Sequence, residues 1–186
     1  MISVIRRPPS HFVILDCPTN ETLSSYLPTL ASNNVTDIVR ICDADHTYDT
    51  EPLRNLGIRV HDHIKFEDGG VPSEEVVESW LELTNNIFDD QNQNQNNGEV
   101  KPRAIGVHCV SGIGRAPVLV TVSLIEDGMD QLDAIDYVRG HRRGALNRKQ
   151  VQFLDAYKRS KRRKRKDGGT SNSGKKLLST LFKRKK

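Results

Sequence analysis

Residues 108–116 read His-Cys-Val-Ser-Gly-Ile-Gly-Arg-Ala, with five residues between a cysteine and an arginine. An apolar run leads into this segment and a helix-like run leads out of it, which predicts a strand, a tight loop and a helix start. The backbone N–H groups of such a loop converge on an anion and favour the thiolate form of Cys109. The planar guanidinium of Arg115 can hold two oxygens of a bound phosphate. These residue types therefore predict hydrolysis of phosphate esters through a cysteinyl-phosphate intermediate.

The residues around Cys109 and Arg115 are expected to surround the phosphate. We expect Gly112 and Gly114 to adopt positive φ, because glycine has no Cβ and lets the backbone approach the ligand. The alternative is a buried structural cysteine followed by an ordinary turn, which is the usual setting of an isolated cysteine. The G-x-x-x-x-G-K-[ST] loop of nucleotide triphosphatases does not occur in the sequence. The expected phosphate-loop residues are Val110, Ser111, Gly112, Ile113, Gly114 and Ala116.

The pattern His-Cys-x5-Arg at residues 108–115 is the signature of the cysteine-dependent protein tyrosine phosphatases, including the dual-specificity group. The chain resembles this family, and residues 107–120 resemble one branch of it, the phosphatases of regenerating liver. The resemblance implies that Cys109 is the nucleophile, that Arg115 binds the phosphate and stabilises the transition state, and that His108 tunes the loop through hydrogen bonds. The resemblance covers roughly residues 8–160. Besides the motif, three further segments resemble this branch: residues 39–42 with 48–50, residues 66–69 and residues 142–147.

A phosphatase of this kind needs a proton donor for the leaving oxygen. Two adjacent acids, Glu67 and Asp68, lie in a segment that ends in two glycines, a valine and a proline, which predicts a mobile loop. The residue types do not choose between the two acids, and a solvated acidic turn is the alternative for the loop taken alone. Position in the resembled family pattern points to Asp68 as the general acid.

Ala116 stands where most of the resembled phosphatases carry serine or threonine. A hydroxyl there would donate to the sulfur that leaves phosphorus in the second, hydrolytic step. Because that donor is missing, we expect slow breakdown of the intermediate and low turnover. Alanine is also a favourable residue in the first helical turn before Pro117, and both explanations can hold together.

The chain has three cysteines, Cys17, Cys42 and Cys109, and begins with no apolar signal segment, which predicts a reducing compartment. No cysteine pair has zinc-ligand spacing, so we expect neither a metal site nor a cofactor. Cys42 and Cys109 each end a predicted strand of a parallel sheet, so their sulfurs could meet at one edge. The resemblance implies that they form a reversible disulfide that protects the nucleophile. A core-facing Cys42 that never reacts is the alternative.

Two functions follow from the resemblance. One is a slow phosphatase acting on a phosphoprotein substrate. The other is a binding module, or pseudophosphatase-like regulator, that grips a cyclin-M magnesium-transport mediator through the active-site face. Arg143 matches a family position used in that contact, although an arginine in this setting is more often a solvated charge.

Charge divides the chain into a predicted catalytic domain, residues 1–160, and a basic, largely disordered tail, residues 161–186. Residues 158–186 hold 14 of the 28 lysines and arginines and one of the 24 acids, a net charge of +13, whereas residues 1–157 carry −9. Residues 91–99 form a polar Gln/Asn insert that we expect to lengthen a surface connection.

The tail has apolar residues at helical spacing among its lysines, which fits weak contact with an anionic membrane. A nuclear-import or polyanion-binding arm and a plain solvated tail are the alternatives. No cysteine follows Cys109, so a C-terminal prenylation box of the family type is absent from the sequence. We expect a protein of the cytoplasm, with the nucleus as an alternative destination, and no specific nucleic-acid ligand.

Alternating apolar runs and amphipathic stretches predict an α/β fold, with a central, mostly parallel sheet flanked by helices on both faces. Ligands of such sheets bind at the carboxyl ends of the strands, where Cys109 and the Asp68 loop are expected. The pattern predicts strands at residues 11–15, 37–42, 58–61 and 103–109, and helices at 22–30, 73–88, 116–126, 130–139 and 148–159.

Overall fold

The computed structural model describes residues 1–42, 48–94 and 101–160, and for residues 90–94 the backbone only. A five-stranded sheet with the strand order β1-β2-β5-β3-β4 forms its centre. β2, β5, β3 and β4 are parallel neighbours, whereas β1 pairs antiparallel with β2. The strands are β1 Ile2–Arg7, β2 Ser10–Leu15, β3 Val35–Arg40, β4 Arg59–His61 and β5 Ala104–His108.

Helices cover both faces of this sheet, and each face has its own apolar cluster. One cluster includes Leu23 and Leu53 from the first two helices, and the other includes Trp80 and most of the apolar residues of the fourth helix. The predicted α/β fold is therefore confirmed. The helices are α1 Leu23–Ser32, α2 Glu51–Asn55, α3 Glu74–Asn94, α4 Arg115–Glu126, α5 Gln131–His141 and α6 Arg148–Ala156.

β5 is the central strand and is buried along its whole length. A parallel strand covered on both faces reads as an apolar run, which explains the sequence Ala-Ile-Gly-Val that precedes His108. Gly106 meets the neighbouring strand closely, because a Cβ there would lie 3.1 Å from Cγ1 of Ile38. The central position of β5 places the residue that follows it, Cys109, at the middle of the carboxyl edge.

A buried carboxylate joins β3 to β4 at the sheet edge. Asp37 is fully buried and accepts hydrogen bonds from Arg59 Nε and His61 Nε2, both at 2.8 Å. Burial alone would raise the pKa of Asp37, but the hydrogen bonds from His61, Arg59 and Thr36 lower it to about 2. His61 thus lies on a partly exposed strand face, where it bonds to Asp37.

The sequence patterns missed two elements, β1 and α2, and placed some helix ends wrongly. β1 is an edge strand of only six residues, Ile-Ser-Val-Ile-Arg-Arg, in which apolar and polar residues do not alternate regularly. α2 has five residues and is too short for a helical period to show. Pro28 lies inside α1, and the helix continues to Ser32.

The last helix ends at Ala156 and not at Arg159 as the pattern predicted. Glu126, fully buried at the end of α4, explains the difference. Its carboxylate accepts hydrogen bonds from the Tyr157 hydroxyl at 2.8 Å and from the Ser160 backbone N–H at 2.7 Å. The segment that follows α6 is therefore held against α4 in an extended form.

α3 continues to Asn94, so the polar insert predicted at residues 91–99 begins as helical backbone. The remainder of the insert and the tail, residues 161–186, lie outside the described residues. Within the described part of the chain, each helix is either too short or too polar to cross a bilayer.

Candidate active site

The segment from Cys109 to Arg115 forms a loop between β5 and α4, as its spacing predicts. Cys109 and Arg115, at its two ends, are each only 1% exposed. Gly112 has a φ of 68°, and a Cβ there would lie 2.3 Å from the carbonyl oxygen of Leu15. Only glycine fits this position without displacing the backbone. The positive φ expected at Gly114 is wrong, because its φ is −110° and it serves as the N-cap of α4.

Arg142 binds the loop through two of its backbone carbonyl oxygens. This arginine is 1% exposed and donates from Nε to the carbonyl oxygen of Gly112 and from Nη2 to that of Ser111, both at 3.0 Å. A third hydrogen bond, from Nη1, reaches the carbonyl oxygen of Met1 at 2.8 Å. Because Arg142 binds these two loop carbonyls, it fixes the orientation of the peptide units that carry the loop N–H groups. Its importance was missed, since neighbouring arginines look alike in sequence.

The arginine of the loop meets the expected acid. Nε of Arg115 lies 3.3 Å from Oδ1 of Asp68, and Nη1 donates to the carbonyl oxygen of Phe66 at 3.3 Å. The side chain of Asp68 is 73% exposed, so its carboxylate lies where a ligand in the loop can reach it. Its neighbour Glu67 contributes a backbone carbonyl to the turn by accepting from the N–H of Gly70 at 3.0 Å. The structure therefore brings Asp68 to Arg115.

Two side chains at the start of α6 fix the acid loop. Nδ2 of Asn147 donates to the carbonyl oxygen of Gly69, and Nε2 of Gln150 donates to that of Gly70, both at 3.0 Å. The same two side chains form the capping box of α6, in which each accepts a hydrogen bond from the other's backbone N–H. Gly114 packs against Gln150, because a Cβ there would lie 3.3 Å from Nε2 of that side chain. The sequence pattern Asn-x-x-Gln was the available signal for this support, and it was not used.

His108 lies fully buried beneath the loop and has a partner at each ring nitrogen. Nε2 is 2.9 Å from the hydroxyl of Tyr48, and Nδ1 is 3.4 Å from Sγ of Cys42. Burial raises the pKa of Tyr48, which keeps its hydroxyl neutral. The guanidinium of Arg40 lies 5.1 Å from the centroid of the Tyr48 ring and pairs with Asp62 through both carboxylate oxygens. The Tyr48 hydroxyl and this arginine were not identified from sequence as parts of the site.

The three cysteines follow three adjacent parallel strands, and all are free thiols. Cys17 comes after β2, Cys109 after β5 and Cys42 after β3, and the N–H of Cys17 donates to the carbonyl oxygen of Val110 at 2.8 Å. Sγ of Cys17, Sγ of Cys42 and a ring nitrogen of His108 lie within 4.8 Å of one another. A hydrogen bond with the Cys17 thiol, together with burial and the nearby sulfur of Cys109, raises the pKa of Cys42.

Spacing along the chain reveals only metal ligands that lie close together in sequence. The fold brings two thiols and an imidazole together from three segments, a donor set that also suits soft metal ions. The role of Cys17 in this cluster was not anticipated. Arg143, the residue assigned to partner contact, is exposed and directly follows the buried Arg142.

The sheet order, the loop after the central strand and the helix that begins at Arg115 define a phosphatase of the dual-specificity fold. The kinase-associated phosphatase has this fold, with a TM-score of 0.60 at 21% identity, covering 83% of this chain and 91% of that chain. A protein tyrosine phosphatase from Leishmania major gives a TM-score of 0.73 at 37% identity, covering 85% of this chain and 99% of that chain.

Sequence comparison identifies the family. The chain is 41% identical over 160 residues to a protein tyrosine phosphatase type IVA from Dictyostelium discoideum, covering 86% of this chain and 89% of that protein. It is 44% identical over 156 residues to protein tyrosine phosphatase type IVA 3 of Bos taurus, covering 84% and 83%. No protein-family model matches the chain. The chain belongs to the protein tyrosine phosphatase type IVA family, the phosphatases of regenerating liver, and is a phosphatase, as the sequence predicted.

Proposed function

We propose that this protein removes phosphate from phosphoproteins, with phosphotyrosine as the substrate class, in two steps at Cys109. The observation that carries the proposal is the convergence of three groups. Cys109 and Arg115 lie buried at the two ends of one loop, and the Asp68 carboxylate lies 3.3 Å from Nε of Arg115. A nucleophile, a phosphate-binding cation and a proton donor are the groups that phosphoryl transfer to a thiol requires.

In the first step, the N–H groups of the loop and the guanidinium of Arg115 bind the phosphate oxygens. The Cys109 thiolate attacks phosphorus, the sulfur–phosphorus bond forms and the bond to the substrate oxygen breaks. Asp68 gives its proton to that oxygen as it leaves. Because the carboxylate of Asp68 is mostly exposed, it can follow a substrate that enters from solvent.

In the second step, water attacks the phosphorus of the phosphoenzyme and Asp68 accepts a proton from it. The sulfur–phosphorus bond breaks and Cys109 leaves as a thiolate. Ala116 is fully buried in the first turn of α4 and belongs to the same apolar cluster as Cys109. A methyl group offers no hydrogen bond to the leaving sulfur, so this step is the slow one.

The proposal also includes a reversible disulfide between Cys42 and Cys109. What supports it is the placement of both residues at the carboxyl ends of β3 and β5, which are adjacent parallel strands. The N–H of Ile41 donates to the carbonyl oxygen of His108 at 2.8 Å, so pairing continues to the residues just before both cysteines. Oxidation would then join Cys109 to Cys42 in a disulfide, which thiols can reduce again.

A cyclin-M magnesium-transport mediator is the proposed protein partner, bound through the active-site face. Arg143 supports this contact because it is exposed between α5 and α6, next to the arginine that holds the phosphate loop. Arg143→Ala should weaken capture of the mediator's cytoplasmic domain, whereas Arg148→Ala, at another exposed arginine of the chain, should not. Equal capture by both variants would remove this part of the proposal.

For the tail we propose weak, salt-sensitive contact of residues 161–186 with anionic membrane surfaces, on a protein of the cytoplasm whose catalytic domain spans residues 1–160. The charge of +13 over residues 158–186 supports it, because each basic residue near an anionic surface adds attraction. The full chain should co-sediment with phosphatidylserine vesicles at low salt and be released at high salt. Equal binding to neutral vesicles would contradict the electrostatic account.

The proposed activity is tested with a phosphotyrosine peptide and full-length protein kept in reductant. Wild type should release phosphate, and Cys109→Ser should release none above background. Cys17→Ser is the matched control, because it makes the same chemical change at a thiol outside the loop, and it should retain turnover. Phosphate release by Cys109→Ser at the wild-type rate would overturn the proposal.

A further inference from the structure

Cys17 is the thiol that neither the proposed catalytic cycle nor the proposed disulfide uses, and its sulfur lies near that of Cys42, one of the two thiols of the disulfide. The sulfurs of Cys17 and Cys42 lie within 4.8 Å of each other. Each follows a strand that flanks β5, so the two thiols come from opposite sides of the strand that carries Cys109. Cys42 therefore has a sulfur neighbour besides Cys109.

We propose that Cys17 is a second resolving thiol, which takes the disulfide with Cys42 over from Cys109 and leaves the nucleophile reduced. The inference rests on the proposed role of Cys109 and deepens it. It adds a disulfide, Cys17–Cys42, to the pair already proposed. The consequence is a phosphatase that stores the two oxidising equivalents of one peroxide as a disulfide beside its active site, while the nucleophile stays available.

The oxidant in the proposed sequence of steps is a hydroperoxide. Hydrogen peroxide converts the Cys109 thiolate into a sulfenic acid and releases hydroxide. The Cys42 thiol displaces the sulfenic hydroxyl as water and forms the Cys42–Cys109 disulfide. Hydroxide takes the proton of Cys17, and the Cys17 sulfur attacks Sγ of Cys42. The Cys17–Cys42 bond forms, the Cys42–Cys109 bond breaks and Cys109 leaves as a thiolate, so one peroxide yields one disulfide and two waters.

The direction of this exchange follows from the surroundings of the three sulfurs. The Cys17 sulfur lies within 4.8 Å of the Cys42 sulfur, so attack at Cys42 expels Cys109 as the leaving group. A leaving thiolate at Cys109 lies in the loop that Arg115 closes, where backbone N–H groups and a guanidinium stabilise negative charge. Cys17 is half-buried, whereas Cys109 is 1% exposed, so reductants reach the Cys17–Cys42 bond first.

The test oxidises full-length protein with one equivalent of hydrogen peroxide, blocks remaining thiols by alkylation at acid pH and maps disulfides by peptide mass spectrometry. The protein is first treated with a chelator, because Cys17, Cys42 and His108 also have donors for a soft metal. Wild type should carry the Cys17–Cys42 disulfide with Cys109 alkylated. Without added reductant, most of its activity should remain relative to the reduced sample.

Cys17→Ser and Cys17→Ala should instead accumulate the Cys42–Cys109 disulfide and lose at least about tenfold in activity until a thiol reductant restores it. Each variant is compared with its own reduced sample, so a change in folding does not imitate the result. A wild-type protein that ends with the Cys42–Cys109 disulfide, or with sulfinic acid at Cys109, would overturn the inference. Reduced wild-type protein without phosphatase activity would instead overturn the proposed function, because disulfide mapping does not depend on turnover.

Discussion

Nε of Arg142 donates a hydrogen bond of 3.0 Å to the carbonyl oxygen of Gly112, in the middle of the phosphate loop. The two residues are separated by α4 and α5 in the chain, yet each restricts the other. Gly112 can approach the guanidinium because it has no side chain, and Arg142 is buried because the loop covers it. The conformation of the phosphate site therefore depends on this pair.

Gly112→Ala should inactivate the enzyme. The new Cβ would lie 2.4 Å from Nη2 of Arg142 and 2.3 Å from the carbonyl oxygen of Leu15, so the loop must move. A displacement of about 1 Å costs roughly 100-fold in rate, and we expect at least this loss in kcat/KM for an aryl phosphate. Gly144→Ala is the matched control, because Gly144 also has a positive φ of 80° but a Cβ there meets nothing within 4 Å. Similar kcat/KM losses in both variants would mean that backbone strain, and not the contact with Arg142, is responsible.

Asp68→Asn should lower kcat/KM by about 100-fold for a phosphotyrosine peptide, because kcat/KM reports the first step, in which the leaving oxygen loses its proton donor. The loss should shrink for an aryl phosphate whose leaving group is a weak base and needs no proton. Glu67→Gln should leave kcat/KM within about twofold of wild type, because the turn uses the backbone carbonyl of Glu67, which this variant keeps. Steady-state kinetics with the two substrates distinguish the acids. A larger loss in Glu67→Gln than in Asp68→Asn would mean that Glu67, and not Asp68, is the general acid.

The local part of the site was readable from sequence, and the non-local part was not. Cys109 and Arg115 belong to one short motif, so spacing and glycine content were enough to predict a strand, a loop and a helix. Arg142 and Gln150 act on the loop through folding, and nothing in their own neighbourhood shows which backbone carbonyl they meet. Cys17 was missed for the same reason, because only the strand order brings it beside Cys42.

The fold shows the same division between pattern and context. β5 and α4 are long or apolar enough to be predicted, whereas β1 becomes a strand by pairing with β2 along an edge. The end of α6 was predicted too late because the competing partner of residues 157–160 is Glu126, a distant buried carboxylate. The helical spacing of apolar residues contains no information on a distant hydrogen-bond partner such as Glu126.

Ala116→Ser should speed up breakdown of the phosphoenzyme. A serine hydroxyl in the first turn of α4 would donate to the leaving sulfur, and we expect kcat to rise by about tenfold or more. The cost in helix stability is small, about 0.5 kcal/mol. Ala116→Gly is the control, because it changes the same buried position without adding a donor, and its kcat should not rise. Pre-steady-state kinetics separate the two steps, because the first step releases the aryl alcohol in a burst and the slower phase that follows reports breakdown of the phosphoenzyme. An unchanged kcat in Ala116→Ser would contradict the account of Ala116.

Asp37→Asn should destabilise the protein in a pH-dependent manner. The hydrogen bonds from His61 and Arg59 oppose burial and hold the pKa of Asp37 at about 2, below its ordinary value of 3.8. The folded state therefore binds fewer protons here than the unfolded state. This contribution, about 2 kcal/mol, is full above about pH 4 and disappears as the pH falls through 2. Urea unfolding from pH 7 down to pH 2.5 should show the gap between wild type and Asp37→Asn narrowing below pH 4, and a constant gap would contradict the assignment.

The most direct measurement of the central claim is the mass of the protein during turnover. Wild type mixed rapidly with an aryl phosphate and quenched in acid should carry one phosphoryl group, located on Cys109, at close to one per molecule because Ala116 makes hydrolysis slow. Ala116→Ser should carry much less, and Cys109→Ser should carry none. Steady turnover without any phosphoprotein, or with the phosphoryl group on another residue, would contradict the mechanism.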